Sequence, residues 1–215
     1  MRSNHTSGAA TQSVRLFKND FLEALTHVHP IVPLLFWGPI ALFLLWRSVA
    51  VHQLPAAGLA GIGVLGVLVW TLSEYLLHRF VFHFSARSRV GKYLVFLFHG
   101  VHHEVPRDKT RLVMPPAGAV IVMVLLYQLF RILVPAPWIE PFCAFFMIGY
   151  LVYDYLHYAT HHFPMTSAPM RFLKIHHMQH HYGPEGLRYG VSSPLWDMVF
   201  GTYPGAPAGP TRGPR

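Results

Sequence analysis

Charge is scarce in this chain: 12% of its 215 residues are Asp, Glu, Lys or Arg, while 53% are hydrophobic. Soluble domains carry about a quarter charged residues, so this composition excludes an ordinary soluble globule. Acidic residues are the scarcest, 9 against 17 Lys and Arg, which leaves a formal net charge of +8. A nucleic-acid partner does not follow, because the basic residues flank long apolar segments and form no continuous patch. Anionic lipid headgroups and the positive-inside rule account for them. Cysteine is nearly absent. Cys143 stands alone in an apolar run, can close no internal disulfide, and reads as a small packed hydrophobe. The first 30 residues lack the apolar core and small-residue cleavage site of a secretory signal peptide.

Histidine is what the chain has in excess, with 16 residues. Two triplets share one spacing: His99-Gly-Val-His-His103 and His177-Met-Gln-His-His181. Positions i, i+3 and i+4 lie on one face of an α-helix, so each triplet can aim three imidazoles at one spot. Two pairs complete the pattern, His78 with His83 and His157 with His161. The second pair is one turn apart. The first is offset by about 140° on an ideal helix. It converges only if the helix ends or unwinds near Phe82; otherwise its members serve different metals. Imidazole is the commonest protein ligand for transition metals near neutral pH. The ten histidines of these segments are too many for one ion and suit two, with about five each. Glu74 precedes His78 by four, Glu104 adjoins His103, and Asp154 precedes His157 by three. These carboxylates are expected to accept imidazole N–H groups behind the ligands. His162 and His176 adjoin the segments but fall off the spacing. His5, His27, His29 and His52 read as surface residues. Tyr153, Tyr155 and Tyr158 read as an interfacial aromatic belt.

The apolar pattern sets the architecture. Residues 14–28 repeat hydrophobics at steps of three and four, which predicts an amphipathic helix in the membrane interface or packed on the domain. Residues 31–49, 54–77, 112–134 and 138–156 are each long and apolar enough to span a bilayer. Gly58, Gly61, Gly63 and Gly66 of the second span leave room for close helix packing. A short helix at about 92–104 carries the first triplet. The expected division is therefore an N-terminal segment (1–30), a membrane domain (31–203) and a disordered Gly/Pro-rich tail (204–215). Fifteen of the 17 Lys and Arg fall in the N-terminal segment, in 78–111 and in the C-terminal segment. Four spans put those regions on one side, the cytoplasmic one by the positive-inside rule, and all four histidine segments lie there.

The ordered series His78-x4-His83, His99-x2-His102-His103, His157-x3-His161 and His177-x2-His180-His181 resembles the fatty acid hydroxylase superfamily, nearest its fatty acid 2-hydroxylase branch. The stretch Gly190-Val-Ser-Ser-Pro-Leu-Trp-Asp-Met-Val-Phe-Gly-Thr202 is similar to the segment that closes that family's catalytic domain. The resemblance implies an all-α integral membrane fold, four transmembrane helices under a cytosolic helical cap that holds a histidine-rich dimetal site. It implies as ligands His78, His83, His99, His102, His103, His157, His161, His177, His180 and His181. It implies iron for activity, with zinc able to fill the site, and O2-dependent hydroxylation of a lipid, at C2 of a long acyl chain. Eukaryotic members carry a cytochrome b5 domain that these residues lack, so a separate electron donor, cytochrome b5-like or ferredoxin-like, is expected. That lack, with Ala-, Gly- and Arg-rich usage, points to a bacterial inner membrane. A sterol or carotenoid hydroxylase of the same superfamily is the nearest alternative. A haem-binding electron-transfer protein would instead pair histidines mid-membrane. A metal transporter would place ionisable residues along its spans, and apart from Arg131 the span centres lack them.

Overall fold

The computed structural model describes residues 13–204. Of the expected disordered tail only Pro204 falls among them; the rest, like His5, lies outside the described residues. Helix α1 (Asp20–Ala24) precedes α2 (Val32–Ala50) and α3 (Ala56–Leu77), which continues into a π-helical turn (His78–Phe82). Helix α4 (Arg89–Val95), a second π-helical turn (Phe96–Gly100) and α5 (Val101–Glu104) follow as one rod. Then come α6 (Pro116–Leu133), α7 (Ile139–His162), α8 (Ala168–Tyr182) and α9 (Leu195–Val199), with no strand among the described residues. The protein is a multi-pass membrane protein: α2, α3 with its π turn, α6 and α7 are each long and apolar enough to cross.

Helix α7 is the centre of the bundle. Of its spanning window 61% is buried in protein, against 22%, 17% and 17% for α2, α3 and α6. Those three turn large apolar side chains such as Leu35, Phe43, Val64, Leu125 and Ile132 outward, where lipid replaces water. α3 meets α7 through glycine. A Cβ on Gly66 would stand 2.8 Å from the Phe142 carbonyl oxygen, and one on Gly149 would stand 2.8 Å from the Trp70 Cβ. Small residues at these crossings let the backbones approach. Gly63 packs likewise on Phe145, but Gly61 faces open space and plays no such part. The Trp70 ring then sits among Phe146, Tyr150 and Tyr153, at centroid distances of 5.1, 5.3 and 5.6 Å.

Several boundaries move from the sequence reading, each for a physical reason. The amphipathic helix expected over 14–28 shrinks to α1. Asn19 caps it by accepting the Leu22 N–H at 3.0 Å, and Glu23 folds back to accept the Leu16 and Phe17 N–H groups at 2.9 and 2.8 Å. A carboxylate that captures those amides holds residues 16 and 17 outside the helix. The third span begins at Pro116, because the chain bends through Leu112 and Val113, both buried, before it. The fourth runs on to His162, so His157 and His161 lie inside α7.

Candidate metal centre

The first pair of histidines closes through the π turn. Its i→i+5 bond runs from the His83 N–H to the His78 carbonyl at 3.1 Å. The wider turn holds one more residue than an α turn, and it brings a spacing of five back to one side. Helix α7 needs no such device, since His157 and His161 already share a face. The second π turn, Phe96–Gly100, leads into the first triplet and carries His99.

The ten histidines separate into two groups of five. One holds His78, His83, His99, His103 and His180; the other holds His102, His157, His161, His177 and His181, and the candidate donor atoms of each lie within 4.8 Å of one another. This corrects the expectation that each triplet faces one spot. In both triplets the i and i+4 histidines stay with the neighbouring pair, and the i+3 histidine crosses to the other group. His102 joins the α7 pair, and His180 joins the α3 pair. The groups touch, with the His103 and His181 rings stacked at 4.1 Å.

The donor geometry fits a cation. His78 Nδ1 donates to the Tyr189 carbonyl at 2.5 Å, and His180 Nδ1 donates to the Leu187 carbonyl at 3.0 Å. A neutral ring with its proton on Nδ1 presents a lone pair on Nε2. Those Nε2 atoms stand 3.0 Å from His99 Nε2 and 3.0 Å from His83 Nε2 respectively. In the other group, Nε2 separations run from 2.8 Å (His161–His177) through 2.9 Å (His102–His157) to 3.0 Å (His102–His181). Ligands at right angles on bonds of about 2.1 Å lie about 3.0 Å apart. Burial, reinforced by the neighbouring imidazole of His180, pushes His83 down to about 4 and His103 down to about 3. His99, His102 and His177 are held well below the usual imidazole range for the same reason, burial beside other imidazoles. The imidazoles are therefore neutral at physiological pH, the form that binds metal.

The outer partners differ from those the sequence suggested. Glu104 is exposed and reaches no imidazole. Asp154 is buried but its neighbours are the Tyr150 hydroxyl, which donates at 3.5 Å, and the Met114 backbone. Glu74 is buried and its carboxylate bonds no imidazole; it accepts the Val191 and Ser192 N–H groups at 2.6 and 2.8 Å and the Ser192 hydroxyl. The acid that organises the groups behind the ligands is one the spacing did not single out. Asp197, wholly buried, accepts the Tyr189 and Gly190 N–H groups at 2.8 Å each, the Thr202 hydroxyl at 2.7 Å and His176 Nε2 at 3.1 Å. Burial opposes its ionisation, but these bonds, His176 first, hold its carboxyl below the usual range. Glu74 and Asp197 thus fix a strap, residues 187–193, whose carbonyls orient His78 and His180. Gly190 belongs to it because a Cβ there would collide with the Ser193 carbonyl oxygen. The available signal was Asp197 itself, the acid within the Gly190–Thr202 stretch. His176 serves this acid and joins neither group, and His162 joins neither.

His99, His102 and His157 line the inner end of an apolar cavity of about 310 Å³, walled by Phe82, Phe98, Leu112, Met114 and Ile121 among others. That volume is at the lower end of small-molecule sites. His27 is exposed, as expected, and its Nε2 also accepts from Arg111 at 2.8 Å. His52 sits half-buried on Glu140 at 3.2 Å.

A helical membrane bundle that gathers ten histidines into two groups beside an apolar cavity defines a class: membrane proteins built around a paired-metal site. The fatty acid hydroxylase family model matches residues 63–202, and the chain belongs to that family. It is 37% identical over 206 residues to a dihydroceramide fatty acyl 2-hydroxylase of Arabidopsis thaliana, covering 95% of this chain and 86% of that one. It is 41% identical over 199 residues to the ceramide very long chain fatty acid hydroxylase of Saccharomyces cerevisiae, covering 91% of this chain and 51% of that one. The solved structure of full-length scs7p, in which only the hydroxylase domain is visible, superposes with a TM-score of 0.81 at 40% identity, covering 89% of this chain and 72% of that one.

Proposed function

We propose that the chain is a membrane monooxygenase that hydroxylates C2 of long-chain fatty acyl groups, free or carried in sphingolipids. One observation carries this reading: histidines of both groups, His99 from one and His102 and His157 from the other, form the inner wall of an apolar cavity. The names of the relatives support C2 as the position and a fatty acyl or ceramide lipid as the substrate.

In this reading His78, His83, His99, His103 and His180 hold one metal ion, and His102, His157, His161, His177 and His181 hold the second. The metal is iron in the active enzyme, and zinc suits the same donors. When bound, the metals supply oxygen activation: one atom of O2 enters the C–H bond, the other leaves as water, and two electrons and two protons are consumed. The chain's own residues do the rest. Phe82, Phe98 and Ile121 hold the tail and keep water out. The strap carbonyls fix the tautomers of His78 and His180, so that their lone pairs face inward. The electrons come from a separate cytochrome b5-like or ferredoxin-like donor. The Lys and Arg content of 84–111 and 163–203 supports a site on the cytoplasmic side, and composition supports a bacterial inner membrane.

Lipid mass spectrometry of iron-supplied cells expressing the wild type or His102→Ala tests the proposal. A gain of one oxygen at C2 of fatty acids or sphingolipids, seen only with the wild type, is expected. The same gain on a sterol or carotenoid would replace the substrate. No gain with a competent reductase present would overturn the enzyme reading.

A further inference from the structure

The cavity has one wall that does not belong to the bundle. Leu16, Phe17, Leu22 and Leu25 line it from the N-terminal segment, which lies outside the residues that the family model matches. The bundle, the rod and the loop before α6 build the other walls. The segment meets the rod where Phe17 packs edge-on against Tyr93 at 6.3 Å and the Tyr93 hydroxyl donates to the Leu16 carbonyl at 3.3 Å, and Val28 is buried at its far end. What fastens it is polar and concentrated on one side chain.

That side chain is Arg111, 2% exposed, in the loop before α6. Its guanidinium donates to Ser13 Oγ at 2.9 Å, to Thr26 Oγ1 at 2.9 Å, to His27 Nε2 at 2.8 Å and to the Glu23 carboxylate. All four partners belong to the N-terminal segment. From its own loop only Asp108 stands near, at 3.5 Å. The rest of the contact is set to match. His27 Nδ1 donates to Thr110 Oγ1 at 2.6 Å, which leaves Nε2 free to accept from Arg111, and the Val28 N–H bonds the Thr110 carbonyl at 2.8 Å. Glu23 uses its other oxygen to fold residues 16 and 17 inward. Burial raises the Glu23 carboxyl, but the Phe17 and Leu16 amides and Arg111 outweigh it and hold it at about 2, so it stays ionised. A wall held by one buried cation through many hydrogen bonds comes away as a unit when that contact opens.

We propose that residues 13–28 are a side door to the acyl cavity, that Arg111 and Glu23 are its latch, and that Phe17 sets which chain lengths the cavity accepts. The inference rests on the hydroxylase reading for its substrate, but the latch does not. An acyl chain enters from the bilayer beside α1, where the exposed Phe21 and Leu22 of the helix and Leu25 after it suit contact with lipid, and the door closes behind it.

The segment carries its own reporters, because Arg15 and Lys18 are trypsin sites within it. Cleavage there by trypsin, read by intact mass on the detergent-solubilised full chain, follows the open fraction. Glu23→Gln removes the charge and keeps the shape. Loss of a charged hydrogen bond predicts cleavage at Arg15 or Lys18 at least about tenfold faster than in the wild type. If Glu23→Gln folds poorly, Thr26→Val removes a single latch bond and is expected to act in the same direction by a few-fold. Phe17→Ala is then compared with the wild type on a ladder of saturated free fatty acids, with product read by mass spectrometry. A shift of the preferred length toward longer chains is expected. Unchanged cleavage in both latch variants overturns the latch, and an unchanged length profile in Phe17→Ala overturns its role in selection. A wild type that forms no product while the latch variants open faster would instead count against the hydroxylase reading and leave the latch standing.

Discussion

The two halves of the histidine site reach the same geometry by different backbones. In the second half α7 and α8 are regular, and His157, His161, His177 and His181 need only the i, i+4 repeat of an α-helix. In the first half the pair is spaced by five, and the helix takes up the extra residue as a π turn. The halves also differ behind the ligands. His78 and His180, both of the first group, donate to strap carbonyls. In the second group His177 Nδ1 and His181 Nδ1 are buried with no hydrogen-bond partner among the described residues. Donor number is therefore equal while support is not. The first group depends on residues 187–193, and the second depends on helix packing.

Substitutions can break or sharpen this contrast. The largest effect is expected from His180→Ala. Outer partners of a metal ligand are worth about 10–100-fold in affinity, and a ligand itself is worth more. Hydroxylase activity should fall by more than about a hundredfold, and the weakened metal should be the one that His99→Ala weakens. A match with His177→Ala instead would mean that the triplets do not exchange a histidine. Asp197→Ala comes next. It frees the strap, so zinc titration of the purified protein should show one site weakened by about 10–100-fold and the other unchanged. Equal weakening of both would dissolve the asymmetry. The smallest effects separate two of the three acids that the sequence placed together. Glu74→Gln loosens the hydrogen bonds to the strap and should cost about 0.5–1.5 kcal/mol. Glu104→Gln, on an exposed residue, should stay within about 0.5 kcal/mol in thermal unfolding.

Much of this architecture is legible in the sequence. Span positions follow from apolar run length, and all ten clustered histidines follow from spacing alone. Three things do not. A triplet on one helical face cannot reveal that its members serve two groups, because the i+3 and i+4 directions differ by about 100° and only the facing helix decides which is used. The π turn shows in the sequence only as an awkward spacing at His78 and His83. The strap is hidden because its contacts to the histidines are made by backbone carbonyls, which carry no residue-type signal; Asp197 marks its place without stating its role. The N-terminal segment departs from its pattern for another reason. Its apolar period is real, but Glu23 takes the amides of residues 16 and 17, and Arg111 anchors Glu23.

The central claim is the exchange of one histidine between two five-histidine groups. Anomalous diffraction at the iron edge, on crystals of the iron-loaded protein, tests it most directly. Two peaks are expected, one among His78, His83, His99, His103 and His180, the other among His102, His157, His161, His177 and His181. A single peak, or two peaks each served by one whole triplet, would contradict it.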